Sequence, residues 1–269
     1  MKKTLLILSA ILFFSILNIY SQDTTLIINN TDSTKVKKSP FSFNADIMSR
    51  YVWRGINLGG NAPSIQPTIK YSIGNKKHSL TIGSWGAYSV GGTQIQECDL
   101  FLNYTIKEVF TISVSDYFFP ADDGSSVRYG NLYETQTGHV LEGGLLFNGT
   151  EKIPFTLLFA MNFLGMDARK INTDGTKGDI FMSKYIELGY KKEWDDLTMN
   201  LFIGGVIEDP NEEKGEIGYY GNYSNGIINV GCKLLKEIKI SKKHTLPVHS
   251  QLILNPERER IFMVIGVTL

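Results

Sequence analysis

The chain has 269 residues, with 27 Lys or Arg balanced by 27 Asp or Glu, so its formal net charge is zero. That balance argues against a nucleic-acid partner, which would favour a basic surface. The chain is too long for one small domain, shows no linker that would split it, and after its first segment has no apolar run of the roughly 20 residues a transmembrane helix needs.

The first segment reads MKKTLLILSAILFFSILNIYSQD. Two lysines, an apolar run from Leu5 to Leu17 and small or polar residues around Ser21 predict a secretory signal peptide over 1–22. No cysteine marks a lipoprotein cleavage point. Residues 23–40 are polar and predict a disordered periplasmic tail.

A barrel is expected over 41–269. In the first predicted strand, 41–54, Phe41, Phe43, Ala45, Ile47, Tyr51 and Trp53 alternate with Ser42, Asn44, Asp46, Arg50 and Arg54. Successive strand side chains point to opposite faces, so one face is apolar and aromatic and the other polar and charged. The cluster GINLGGNAP then signals a turn. The same alternation recurs over 64–73, 78–88, 95–106, 110–119, 135–147, 155–163, 180–191, 197–206, 225–235 and 245–254, and ends in IFMVIGVTL. Gly74-Asn75, Lys107-Glu108 and Asn148-Gly149 mark short turns, whereas 120–133, 164–179 and 208–223 are long loops.

About twelve strands, with short connections at one end and long ones at the other, predict an all-β fold: a transmembrane antiparallel up-and-down β-barrel. The last strand would pair with the first and remove both sheet edges. Cys98 and Cys232 fall on the apolar faces of strands far apart in order, which argues against a disulfide.

Ser49-Arg50-Tyr51-Val52-Trp53-Arg54-Gly55, then Gln66-Pro67, Gly83-Ser84-Trp85 and Glu97-x-Asp99 occur in that order. In these motifs the chain resembles the TorF-type porin family, uncharacterised outer-membrane barrels tagged by a Gly-Cys-Trp motif. Ser84 stands where that cysteine would be. The matched motifs cover the first third of the chain. The resemblance implies an outer-membrane location and a porin role, and names no substrate.

The polar face collects Asp46, Arg50, Arg54, Lys70, Glu97, Asp99, Glu142, Glu187, Lys233 and His249. Two readings stand side by side. In one, Arg50, Arg54, Glu97 and Asp99 constrict a narrow channel with Lys70, Trp85, Glu142 and Glu187 along its wall, and the mixed charges give weak selectivity for small polar solutes or ions. In the other, the same charges pair across the lumen and close a structural or surface-binding barrel. Trp85 is expected to pack against interior neighbours.

An outer-membrane lipid hydrolase would need a serine and an orienting group within reach of a histidine. No His-x-Ser motif accompanies His78, His139, His244 or His249, so no enzyme activity and no cofactor are expected. Asp122-Asp123-Gly124 and Asp174-Gly175 lack the ligand spacing of a calcium loop, so no metal is expected either. Tyr219, Tyr220 and Tyr223 fit an interfacial aromatic girdle better than a ligand-binding loop tip. The expected partners are the lipid bilayer and small solutes.

Overall fold

The computed structural model describes residues 39–91, 96–120, 127–132, 137–242 and 244–269. The predicted signal peptide, all but the end of the predicted tail, and the Asp122-Asp123-Gly124 loop lie outside the described residues.

The strands in chain order are β1 (Phe41–Met48), β2 (Val52–Trp53), β3 (Ile56–Asn57), β4 (Ser64–Gly74), β5 (His78–Ser89), β6 (Gln96–Ile106), β7 (Phe110–Phe118) and β8 (His139–Phe147). They continue with β9 (Phe155–Gly165), β10 (Arg169–Ile171), β11 (Lys177–Ile180), β12 (Lys184–Glu193), β13 (Leu197–Val206), β14 (Gly226–Lys239), β15 (Thr245–Asn255) and β16 (Arg260–Thr268). Twelve of them close into one antiparallel barrel in the order β1-β16-β15-β14-β13-β12-β9-β8-β7-β6-β5-β4. Among the described residues, β2–β3 and β10–β11 stand apart, as two small hairpins.

Closure occurs at β1, which pairs with β4 on one side and with β16 on the other. Asp46 lies opposite Thr268, and Ala45 and Leu269 exchange backbone hydrogen bonds of 3.2 and 2.9 Å. No barrel strand is left with an unpaired edge, which is the condition for burying a sheet in lipid.

The exterior explains where the apolar alternation goes. Leu102 sits opposite Ile82 on one side and Val114 on the other, and Leu188 sits between Leu157 and Ile203. All six are exposed. A continuous belt of exposed Ile, Leu, Val and Phe around a closed sheet is far larger than the apolar patches soluble proteins tolerate. The belt is the face that meets hydrocarbon. Cys98 is free and lies on the exposed face; Cys232 is free and partly covered.

The inner face is polar and partly cross-linked. Ser72 hydrogen-bonds Thr81 at 2.9 Å between β4 and β5, and Thr105 hydrogen-bonds Thr111 at 3.0 Å between β6 and β7.

Four boundaries differ from the sequence expectation. The first strand stops at Met48 rather than Arg54. Ser49 ends it: its N–H donates to the Ile265 carbonyl at 2.7 Å, and its Oγ accepts from the Ile265 N–H at 3.0 Å. The side chain thus takes a ladder position from the backbone, and the chain leaves the wall. Ile180, expected to open the eighth strand, instead pairs with Arg169 of β10, and the wall resumes at Lys184. Finally, β8 begins at His139, the expected start at 135 lying outside the described residues, and β14 runs on to Lys239, into the expected turn.

Candidate functional site: a hairpin across the lumen

Once off the wall, the chain turns inward. β2 and β3 form a two-residue hairpin, pairing Val52 with Asn57 and Trp53 with Ile56. Its turn residues, Arg54 and Gly55, have φ of 47° and 77°. Two successive positive φ values are those of a type I′ turn, the geometry that matches strand twist in a two-residue loop. A side chain at Gly55 would collide with the Ile228 carbonyl, so the turn lies directly against β14. Asn255 Nδ2 donates to the Gly55 carbonyl at 3.1 Å and ties the tip to β15.

The tip presents Arg54 to the opposite wall. Arg54 Nη1 donates to Glu142 Oε2 at 2.5 Å and Nη2 donates to Glu142 Oε1 at 2.9 Å, a fork-on-fork contact with β8. Nη1 also donates to the Tyr220 hydroxyl oxygen at 2.7 Å, and the Tyr117 hydroxyl donates to Glu142 Oε1 at 2.9 Å. The guanidinium carbon lies 4.5 Å from the ring centroids of both Trp53 and Tyr185. Such stacking suits the flat, weakly hydrated guanidinium better than it would suit an ammonium.

Trp53 stacks on Tyr220 at 5.6 Å and meets Tyr117 and Tyr219 edge-on. Tyr185, Tyr220, Ile228, Val206 and Ala160 form the buried core around this point. Tyr185 fits because Gly204 on β13 offers no side chain where the phenol end lies. Behind the hairpin, Tyr51 packs on Trp85 at 5.3 Å. Between Tyr51 and Ile56 the segment reaches β5, β6, β7, β8, β12, β14 and β15. It therefore crosses the lumen from wall to wall.

The predicted lining residues are distributed as follows. Arg54 and Glu142 form the central pair. Glu187 accepts from the Tyr185 hydroxyl at 2.5 Å and from Asn229 Nδ2 at 2.9 Å. Arg50 lies 5.7 Å from the Phe262 ring. Lys70 sits on the inner face of β4 opposite Gly83. Trp85 packs on Tyr51. Glu97 and Asp99 are buried beside Tyr51, and Glu97 Oε2 and Asp99 Oδ1 have no hydrogen-bond partner among the described residues.

The expected quartet of Arg50, Arg54, Glu97 and Asp99 is therefore not one constriction. The two arginines separate, one to an aromatic ring and one to Glu142, because the turn at Arg54 aims its side chain away from β6. Tyr219 and Tyr220 are corrected as well. They enter the lumen against Trp53 rather than joining an outer girdle, while Tyr223 stays exposed. Sequence reasoning placed Trp53 outside with Phe41 and Phe43. The signal for its inward turn was Arg54-Gly55 followed closely by Gly59-Gly60-Asn61.

On the turn side of the hairpin lies a polar cavity of about 290 Å³ lined by Thr156, Glu187, Asn200, Asn229 and Lys233. At the closing seam, Thr268 Oγ1 donates to Asp46 Oδ1 at 2.5 Å and meets His249 Nε2 at 2.6 Å. His139, on the outer face, has both ring nitrogens engaged, Nδ1 with Asp116 at 2.8 Å and Nε2 with the Tyr129 carbonyl at 2.8 Å.

An apolar exterior, a polar lumen and an inserted hairpin define a plugged twelve-stranded membrane β-barrel. The chain belongs to the family described as bacterial protein of unknown function (Gcw_chp), which it matches over residues 34–204. No curated protein matches the sequence. Among solved structures, the chain is similar to Salmonella typhi OmpF in complex with daunomycin, at 8% identity and a TM-score of 0.35, over 85% of this chain and 96% of that one. It is similar also to the beta domain of the Bordetella autotransporter BrkA, at 9% identity and a TM-score of 0.33, over 85% and 96% of the two chains. In the triplet Gly83-Ser84-Trp85, Gly83 lies beneath the Phe101 ring, Ser84 pairs with outward-facing Leu100, and Trp85 turns inward.

Proposed function

We propose that the protein is a porin-like channel of the outer membrane of a Gram-negative bacterium, closed at its outer end by its own hairpin. Its short turns face the periplasm and its long loops the exterior, the usual asymmetry of such barrels. Small polar solutes or ions pass when the hairpin yields, and no chemistry is performed on them. The resemblance to TorF-type porins supports this reading.

The observation that carries it is the seating of Arg54. A single guanidinium, held by one carboxylate, one phenol and two rings, joins the hairpin to β8, β12 and the loop bearing Tyr220. Breaking that one junction frees the hairpin without cutting the wall. A polar cavity already lies on the other side. Because the interior charges are of both signs, the open state discriminates weakly between anions and cations.

The test is single-channel recording of the refolded protein in a planar bilayer, beside a variant with residues 51–57 replaced by a Gly-Ser linker. Heat-modifiable migration on gels verifies that both have folded. Long closures broken by brief steps are expected from the parent, and steady steps from the variant. A folded variant that stays silent would overturn the channel reading and leave a closed structural barrel.

A further inference from the structure

Nine buried side-chain polar atoms lack a hydrogen-bond partner among the described residues, and five of them belong to one cluster. They are Asn162 Oδ1, Ser183 Oγ, Asn222 Oδ1 and both carboxylate oxygens of Glu208. Asn162, Ser183, Asn222 and Glu208 are 0, 1, 1 and 7% exposed. Leaving so many oxygens dry and unpaired costs on the order of 1–3 kcal/mol each. Native structures rarely carry such a concentration without an unseen partner.

The atoms converge. Asn162 and Ser183 are backbone neighbours, the Asn162 N–H donating to the Ser183 carbonyl at 2.9 Å. Asp167 joins them, accepting from Asn162 Nδ2 at 3.1 Å and from the Ser183 N–H at 2.9 Å. Ser183 and Asn222 are side-chain neighbours close enough to favour the charged form of Glu208, and Asp167 disfavours it. A side chain built on Gly218 would collide with both Asn222 Oδ1 and Glu208 Oε1, so these two oxygens sit together over a residue that leaves the space open.

The amide donors are committed elsewhere, which leaves the Ser183 hydroxyl as the donor within the cluster. Asn162 Nδ2 is committed to Asp167, and Asn222 Nδ2 donates to the Ser224 carbonyl at 3.0 Å. Each amide therefore presents its oxygen to the cluster. An amide oxygen facing a carboxylate is repulsive unless something positive lies between. Lys184 is the nearby cation, and it forms no ion pair with Glu208 or Asp167 among the described residues.

We propose that Asp167, Glu208, Asn162, Asn222 and Ser183 form a calcium site at the loop end of the barrel. The donor set is all oxygen, with two carboxylates and three neutral groups drawn from four separate stretches of chain. That is the preference of a hard cation of variable coordination, and calcium tolerates such irregular cages better than magnesium, which demands a near-ideal octahedron. No continuous calcium-loop motif is involved, which is why spacing along the sequence does not reveal it. Glu208 and Asn222 bracket the loop that carries Tyr219 and Tyr220, so the bound ion fastens that loop over Trp53 and Arg54.

The experiment is calorimetric titration of the refolded, chelator-treated full barrel with calcium chloride, and in parallel with magnesium chloride, with Tm followed in the same samples. One saturable calcium site is expected, with Kd in the range of about 10⁻⁴–10⁻³ M usual outside the cell. Asp167→Asn and Glu208→Gln are each expected to weaken it about tenfold or more. Asp174→Asn, in an exposed turn, leaves it unchanged. Should the first two variants not fold, Asn222→Asp supplies a third carboxylate and is expected to tighten calcium binding. The proposal is overturned by a folded parent that shows neither heat nor a Tm shift with calcium. It fails equally on parental affinity in Glu208→Gln or Asn222→Asp, or on magnesium binding as tightly as calcium. These outcomes do not depend on whether the barrel conducts.

Discussion

Arg54 and Glu142 are 88 residues apart in sequence and close on each other through two parallel hydrogen bonds across the lumen. Their side chains are only 10 and 6% exposed. A pair this dry is bound by its geometry, and its two halves are interdependent: removing one leaves the other as an uncompensated buried charge.

Glu142→Gln keeps the shape and removes the charge. It is expected to cost about 3 kcal/mol if the hairpin stays in place. The hairpin can avoid that cost by withdrawing, so the variant should show longer open times in bilayer recordings and faster protease cleavage within 50–60. Arg54→Lys should resemble it, since an ammonium cannot make the two-point contact or stack between Trp53 and Tyr185.

Gly55→Ala tests the same hinge without touching charge. The position has positive φ and the added methyl meets the Ile228 carbonyl. Alanine is expected to lift the turn off β14, break the Asn255 contact and raise the open probability, with the wall of the barrel intact by circular dichroism. Unchanged gating would show that the turn is not held where β14 places it.

Leu102→Arg on the lipid face and Asn103→Arg on the luminal face make a paired test of orientation. Leu102 lies mid-strand between Ile82 and Val114. Arginine there is expected to cost roughly 2–4 kcal/mol in urea unfolding from lipid vesicles, and much less one residue further on. Equal costs would contradict the assignment of faces.

Glu208 lies beyond the end of β13, and burial pushes its carboxyl above the ordinary carboxylate value of 4.5, with Asp167 adding to the shift and Lys184 opposing it. A raised folded-state value means the folded protein holds the proton more tightly. Without calcium, that stability is fully present below about pH 4.5 and is lost as pH rises through the raised value. Calcium must displace the proton, so its affinity should rise with pH over the same window. Calorimetry at pH 5 and pH 7.5 checks this; equal affinity would mean Glu208 is not a ligand.

Much of the wall was legible because a strand buried between lipid and lumen has only one way to alternate. Leu102 and Asn103, or Leu157 and Leu188, could be assigned to faces from period alone. The plug was not legible. Trp53 and Tyr220 look like girdle residues in sequence, since nothing local says that Ser49 will cap the first strand or that a two-residue turn will follow. The calcium cluster was hidden for a related reason. Its five donors are ordinary residues separately, and only the fold brings Asn162, Asp167, Ser183, Glu208 and Asn222 to one spot.

The position of the hairpin in the chain has a consequence for assembly. It sits on the first connection, yet the groups that hold it arrive far later: Tyr220 is 166 residues downstream of Arg54, and Asn255 is 200 downstream of Gly55. Contacts over such separations form slowly, because a long loop must close before any of them is made. The hairpin's seat is therefore incomplete until nearly the whole wall exists, and that wall is sealed only when β16 meets β1. Seating and sealing are late and nearly simultaneous events. A nascent barrel is thus incompletely stoppered almost to the end, and gains its last hairpin contacts close to the step that makes it complete.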